Sequence, residues 1–148
     1  MSTEMGLQVE RRTAEGWRPA NLDQIHRDPW GKVLSVPCFY DFNDFWLLYV
    51  LSGDALRGDP DDMPPPIVPK RRGEPPDLSR ELRRVAEDDS AYYISWLTAR
   101  ELLEYDWDAY AKHLCGITGY SAPKPTALLD AIAKLQPLDD HRVIIELW

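Results

Sequence analysis

The chain has 148 residues, 44% hydrophobic and 11% aromatic, which is long and apolar enough for one ordinary domain core. Its 17 Lys and Arg residues stand against 25 Asp and Glu residues, and the net charge of -8 disfavours non-specific binding to nucleic acid and to anionic lipid. Cys38 and Cys115 lie in no disulfide framework and in no zinc-ligand spacing. No apolar run approaches the roughly 20 residues that span a bilayer, and the first residues are too polar for a signal peptide, which predicts a cytoplasmic protein with no membrane partner.

The first quarter of the chain predicts one strand followed by an irregular segment. Residues 5–12 alternate between apolar and polar side chains, a period that predicts a half-buried strand with Glu10 on its polar face. The turn-rich segment that follows breaks any period, apart from a short strand expected around 32–36. Within it, Trp17 and Trp30 are expected to act as local anchors.

A buried helix and a long loop come next. Residues 41–51 are apolar nearly all round a helical cylinder, which predicts a buried helix capped by Asp41 or Asn43 and ended by Gly53 in a left-handed conformation. The stretch 53–76 is rich in proline, which lacks the backbone N–H that regular helices and central strands need. It is therefore predicted as a long loop, and loops of this length in compact domains are usually functional or disordered.

The second half of the chain alternates helices with strands. Thr98 and Glu101 have capping-box spacing, which predicts a helix from residue 99, whereas Gly116 and Gly119 interrupt the weak helical pattern after Trp107. The other predicted elements are a helix from Asp77 or Ser79 to 87 with its arginines outward, a strand over 91–96, a helix over 126–135 and a strand over 141–148. We therefore expect a single α+β domain over 1–148, with a small mixed or antiparallel sheet that holds the N- and C-terminal strands and three to four packed helices.

Four motifs, which follow one another along the chain, resemble those of a known protein family. They are Leu7-x-Val9-Glu10-Arg11-Arg12, the loop from Pro66 to Ser79 with Arg71-Arg72-Gly73, the block Ser95-Trp96-Leu97-Thr98 to Tyr105-Asp106-Trp107, and the final Asp139-Asp140-x-Arg142-Val143-Ile144. Together they resemble a widespread family of small phage and prophage proteins of unknown function. The resemblance implies a shared fold and no established activity. Members usually open with Met-Gly-Cys-Asp-x-His and often carry a histidine before the Ser-Trp-Leu-Thr block, where this chain has Ile94.

Familiar catalytic and metal motifs are absent from the sequence. His26, His113 and His141 are scattered without a zinc-like spacing, so each is expected to be a surface or capping residue, and no metal or cofactor is predicted. No nucleophile elbow, P-loop or dinucleotide fingerprint occurs, so no catalytic residue is assigned and the sequence leans away from an enzyme.

The best argument for an enzyme is a group of carboxylates beside aromatic rings. Glu104, Asp106 and Asp108 surround Trp107, and a ring packed on a carboxyl group can raise its pKa into a useful acid–base range. The favoured alternative is that Glu104 is solvated and that Asp106 caps the next helix beside a core Trp107.

A larger set of residues is a candidate binding site. Arginine forks bind phosphate or carboxylate, and aromatic faces stack on bases, so a loop with both could hold a nucleotide-like ligand. The set comprises Arg71, Arg72, Asp77, Trp96, Asp106, Trp107 and Arg142. The structural alternative is that the arginines fasten the proline-rich loop to aspartates.

Three functional hypotheses follow. The first is a non-catalytic protein that sequesters or inhibits a protein partner in phage–host conflict, with Arg71 and Arg72 in the contact loop. The second is a binder or hydrolase of a nucleotide signal, with Arg71, Arg72 and Arg142 on phosphates and Trp96 or Trp107 on the base. The third is an immunity protein whose acidic surface masks a basic toxin.

Overall fold

A computed structural model describes residues 5–42, 44–54, 59–89, 91–119 and 124–147, with the backbone alone at 88 and 89. Seven strands and five α-helices occur within these residues. The strands are β1 (Met5–Thr13), β2 (Gly16–Pro19), β3 (His26–Arg27), β4 (Val33–Ser35), β5 (Tyr40–Phe42), β6 (Tyr92–Thr98) and β7 (His141–Leu147). The helices are α1 (Phe45–Ser52), α2 (Arg80–Asp89), α3 (Ala99–Glu104), α4 (Trp107–Thr118) and α5 (Thr126–Ala133). The predicted α+β class is confirmed, with one helix more than expected.

The main sheet is antiparallel and places the two ends of the chain at its centre. Its order is β2-β1-β7-β6, and β5 pairs with the first residues of β1 on the same side as β2. The central pair, β1 and β7, is aligned from Met5 opposite Leu147 to Arg11 opposite His141. Strands β3 and β4 form a separate two-stranded sheet. This resolves the predicted mixed or antiparallel sheet in favour of the antiparallel form.

The first face of the main sheet carries the larger core. Alternate residues of a strand point to opposite faces, and Leu7, Val9, Val143 and Ile145 pack here in one cluster with α1, α3, α4 and α5. Each of these four side chains is at most 1% exposed. The burial of this apolar surface is the main source of stability on this face.

The second face of the sheet is covered as well. Ile144 packs here with Leu82 of α2 and with Val33 and Val36 of the β3–β4 segment. The prediction that β1 is half-buried is therefore wrong, because α2 and the β3–β4 hairpin cover the face that carries Glu10, which is 0% exposed. Alternation along one strand shows the chemistry of its two faces, but it cannot show what packs on the polar one.

The segment between β1 and α1 is more regular than the sequence predicts. Gly16, with a φ of 101°, ends a tight turn that folds β2 back onto β1. Helix α1 begins at Phe45 rather than near 41, because residues 40–42 pair with β1 and Asp44 caps the helix through the N–H groups of Trp46 and Leu47. The predicted cap Asp41 lies in β5, and Asn43 lies outside the described residues. Gly53 ends α1 in the left-handed conformation as predicted, with a φ of 77°.

The proline-rich loop is docked against the body of the protein. The N–H of Ile67 donates to Val50 O at 2.9 Å, and the N–H of Gly73 donates to Ile94 O at 3.1 Å. Two of its own side chains, Met63 and Val68, are buried. A side chain at Gly53 would bring its Cβ within 2.9 Å of Val68 O, so the loop crosses α1 where only glycine fits.

The bounds of the remaining helices agree with the sequence prediction for α3 and differ from it for α4 and α5. The capping box of Thr98 and Glu101 is present at the start of α3, as predicted. Helix α4 runs unbroken through Gly116 to Thr118, because Gly119 alone takes the left-handed conformation that ends it. Helix α5 has no side-chain cap at its start and stops at Ala133, two residues before the predicted end.

Candidate functional site

A buried ion network lies at the centre of the second face. Arg142 is 4% exposed, and its Nε donates to Glu10 Oε1 at 2.8 Å while its Nη1 donates to Asp77 Oδ1 at 2.7 Å. The other oxygen of Glu10 accepts from the N–H of Ser79 at 2.8 Å. One guanidinium therefore joins the two central strands to the end of the proline-rich loop.

An indole ring covers this network. The guanidinium carbon of Arg142 lies 4.1 Å from the ring centre of Trp17, a cation–π distance. Hydrogen bonding to Arg142 lowers the pKa of Asp77, and a hydrogen bond from the Trp17 side chain lowers it further. Asp77 is thus held as an anion, although 62% of its side chain is exposed.

A cleft opens beside the indole. It has a volume of about 630 Å³, and we call it the Trp17 cleft. Its charged and aromatic lining residues are Arg12, Glu15, Trp17, Arg18, Asp77 and Arg80. Arg80 is 79% exposed and its nearest carboxylate oxygen, on Glu81, is 3.6 Å away. The volume is within the range of small-molecule sites.

The β3–β4 hairpin carries the most exposed aromatic ring among the described residues. Trp30 is 89% exposed, and Leu34 in β4 is 53% exposed. The turn itself is pinned, because Asp28 Oδ1 accepts from the N–H groups of Trp30 at 2.9 Å and Lys32 at 2.8 Å. Trp30 is therefore displayed by an ordered turn, and the expectation that it is a local anchor is wrong.

A second groove separates this hairpin from α2. Its volume is about 480 Å³, and four cations line it, namely Arg27, Lys32, Arg80 and Arg84. The carboxylate in its lining, Glu81, is 1% exposed and pairs with Arg18. Glu81 Oε2 has no hydrogen-bond partner among the described residues. The groove is thus basic in a chain whose net charge is -8.

Two arginines of the sequence-predicted set hold the proline-rich loop in place. Arg71 Nη1 donates to Asp54 Oδ2 at 2.9 Å. Arg72 makes two hydrogen bonds to Glu101, at 2.8 and 2.7 Å, and its guanidinium carbon lies 4.6 Å from the ring centre of Trp96. The structural alternative predicts aspartate partners, whereas Arg72 pairs with a glutamate and the aspartate paired with Arg71 lies within the loop itself. The fork of Arg72, with the Thr98 N–H, lowers the pKa of Glu101 to about 2.

The other members of that set are divided between the two faces. Asp77 and Arg142 meet on the second face, where Trp96 also lies. Trp107 is in the core of the first face, with its Nε1 donating to Leu102 O at 2.9 Å. Asp106 caps α4 through the N–H of Ala109, as the favoured alternative predicts. The set therefore does not form one site.

The carboxylates and histidines noted in the sequence have ordinary partners. Lys124 donates to Asp108 at 2.8 Å and lowers its pKa, the opposite of the shift that an acid–base role needs. Exposed Glu104 lies 3.5 Å from Arg100. His141 is buried and is the capping residue at the end of a short helical turn over 138–140, with Nδ1 2.7 Å from Pro137 O. The described residues contain no group of three or more His, Cys, Asp or Glu that could hold a metal ion.

A second buried polar group lies near the other end of β7. The Gln8 amide donates to Glu146 Oε1 at 3.1 Å, and the thiol of Cys38 donates to the Tyr40 carbonyl at 3.1 Å. Burial raises the pKa of Glu146, and burial together with the nearby Glu146 raises the pKa of Cys38 to about 12. Cys38 is accordingly a protonated thiol at neutral pH and not a nucleophile.

Of the residues that line the two clefts, the sequence-predicted set contains only Asp77. Trp17 and Trp30 were noted only as anchors, and Arg80 and Arg84 only as the outward face of a helix. The outward orientation is confirmed. A usable signal was the Asp28-Pro29-Trp30-Gly31 turn, which places an indole between turn residues where burial is difficult.

The comparisons with known proteins give no family. Over the residues that the structure describes, no helix has the length and apolar character needed to cross a membrane. The resemblance to phage and prophage proteins therefore stays a prediction from the four motifs. Neither a protein-family model, nor a curated protein, nor a solved structure matches this chain.

Proposed function

We propose that this chain is a cytoplasmic, non-catalytic binding protein that sequesters or inhibits a protein partner in phage–host conflict. Its contact region in this proposal is the hairpin–helix surface, which we define as Arg27, Trp30, Lys32, Leu34, Arg80 and Arg84. The observation that carries the proposal is the 89% exposure of Trp30 on a pinned turn beside a basic groove.

An indole displayed in this way is suited to binding. Trp and Arg are the residues that most often dominate the energy of protein interfaces, where the ring enters a pocket on the partner. The Asp28 side chain already holds the turn, so little conformational entropy remains to be lost when the partner binds. Underneath, Val33 and Val36 pack in one buried cluster with Leu82 of α2, which anchors the hairpin to the helix.

The charges of the surface favour an acidic partner. Four cations line the groove between hairpin and helix, whereas the chain as a whole carries an excess of eight acidic groups. A partner with carboxylates around an apolar pocket would complement the charge of these cations and enclose the ring. The repulsion between such a partner and the acidic remainder of this protein is screened beyond about 8 Å at physiological ionic strength.

The test compares capture by variants in lysate of the source cells, followed by native mass spectrometry. The wild-type protein should retain a protein partner, and Trp30→Ala should weaken its binding by at least 2 kcal/mol, about 30-fold in Kd. Arg71→Ala is the control. Arg71 is exposed, as Trp30 is, but it lies in the proline-rich loop, outside the hairpin–helix surface. Adding the variants to the purified partner then shows whether occupancy blocks its activity.

Three results would contradict the proposal. Equal capture by wild type and Trp30→Ala would exclude the hairpin–helix surface. Loss of capture only in the Arg71→Ala and Arg72→Ala double variant would move the contact to the proline-rich loop. A basic partner lost only when Asp59, Asp61 and Asp62 are replaced by Asn would favour the immunity-protein alternative.

A further inference from the structure

The Trp17 cleft combines three chemical features, of which the proposed function uses only the guanidinium of Arg80. One is an aromatic ring, because Trp17 lines the cleft, with the buried Arg142 guanidinium 4.1 Å and the exposed Arg12 guanidinium 5.6 Å from its ring centre. Another is the exposed carboxylate of Asp77. The third is a pair of exposed guanidinium groups, on Arg12 and Arg80.

Each feature selects for part of a ligand. A Trp face stacks on planar rings, and nucleic-acid bases are the common biological example. A carboxylate accepts hydrogen bonds from ring N–H and amino groups, whereas it repels a ligand that is anionic throughout. Guanidinium groups bind phosphate through charge-assisted hydrogen bonds.

The cleft is also built from elements that hold these groups in place. Trp17 and Arg12 are opposite residues of the β1–β2 pair, and Arg142 fixes Asp77 to the sheet at 2.7 Å. Arg80 follows three residues later, at the start of α2. A volume of about 630 Å³ accommodates a nucleotide-sized ligand.

We infer that the Trp17 cleft binds a nucleoside phosphate, with the base stacked on Trp17 and paired to Asp77 and the phosphate held by Arg80 and Arg12. This site differs from the nucleotide site expected from the sequence, because Arg142 supports the indole from below instead of contacting phosphate. It is also independent of the hairpin–helix surface, apart from the shared Arg80.

The test uses the full chain and GMP as the probe, since guanine places a ring N–H beside an amino group. Isothermal titration calorimetry should detect GMP binding, with guanosine and inorganic phosphate each at least about tenfold weaker, a difference of roughly 1.4 kcal/mol. The indole N–H resonance of Trp17, assigned with Trp17→Phe, should shift on GMP addition. Arg80→Ala should weaken GMP binding at least about tenfold, whereas Arg84→Ala, one turn further along α2, should leave it unchanged.

Several results would contradict the proposed nucleoside phosphate site. No heat and no Trp17 shift at millimolar GMP would overturn the inference, as would equal affinity for phosphate and GMP. Retention of wild-type affinity by Arg80→Ala would remove the phosphate contact and overturn it too. Trp30→Ala is expected to bind GMP normally, so failure of the partner-binding proposal leaves this result interpretable.

Discussion

The two faces of the main sheet are both buried, but they are built from different chemistry. The first face packs aliphatic side chains such as Leu7 and Val143 against four helices. The second face packs Ile144 against α2 and the hairpin, yet it also buries Glu10 and Arg142. Contacts between aliphatic side chains are not directional. The hydrogen bonds of the Arg142 guanidinium are directional, so they set the relative positions of the strands and the loop that they join. The comparison indicates that the first face supplies stability and that the second face sets the position of the clefts.

The largest effect is expected from breaking the buried ion network. Arg142→Ala leaves the carboxylate of Glu10, 0% exposed, without its partner, and we expect a loss of about 3–5 kcal/mol in the free energy of unfolding. Urea denaturation measures this loss. The control is Arg100→Ala, which breaks an exposed pair with Asp139 and should cost about 0–1 kcal/mol.

A double variant sharpens the result. Replacing Glu10 by Leu together with Arg142 by Met removes both buried charges, so it should cost less than Arg142→Ala alone. If the double variant is as unstable as Arg142→Ala, the network stabilises the fold through the packing of its side chains and not through the pairing of its charges.

The pH dependence of stability should have opposite signs at two glutamates. Burial raises the pKa of Glu146, so its contribution is present at low pH and is lost as the pH rises from about 4.5 through the raised value. The Arg72 fork lowers the pKa of Glu101 to about 2, so its contribution is present above pH 4.5 and is lost as the pH falls towards 2. The Glu101 contribution is reduced by solvent screening, because the side chain is partly exposed.

Glutamine variants separate the two effects in unfolding measurements between pH 3 and pH 8. Glu146→Gln should abolish the loss of stability on the alkaline side, and Glu101→Gln should abolish the loss on the acid side. Identical pH profiles for the wild type and Glu146→Gln would show that water reaches this carboxylate in the folded protein.

The smallest effect on stability is expected at the exposed indole. Trp30→Ala should change the free energy of unfolding by no more than about 0.5 kcal/mol, because its ring contributes little to either core. Trp107→Ala, which removes a buried ring, should cost about 3–5 kcal/mol. A large loss in Trp30→Ala would mean that this ring is a packing residue.

The elements that sequence reasoning predicted best are those fixed by local chemistry. The capping box at Thr98 and Glu101, the left-handed end of α1 at Gly53 and the terminal strands each depend on a few neighbouring residues. The extent of α4 was missed because the glycine at 116 costs a helix only about 1 kcal/mol, which packing of Trp107 and Tyr110 offsets.

The candidate clefts depended on contacts that a single sequence does not show. Arg142 and Glu10 are 132 positions apart, and only the pairing of β1 with β7 brings them together. Arg71 and Arg72 stood out as adjacent cations in a conspicuous loop, but their partners, Asp54 and Glu101, are distant along the chain. The sequence alone therefore does not distinguish a ligand site at Arg71 and Arg72 from a structural clamp.

The β3–β4 hairpin forms hydrogen bonds as its own two-stranded sheet, apart from the main one. Its outward residues can change without disturbing the pairing of β1 with β7 at the centre of the main sheet. Under the proposed function, such a chain is free to vary its recognition residues quickly while its scaffold is retained. Substitutions at Trp30 and Lys32 are thus expected to alter partner choice between relatives that share the central sheet.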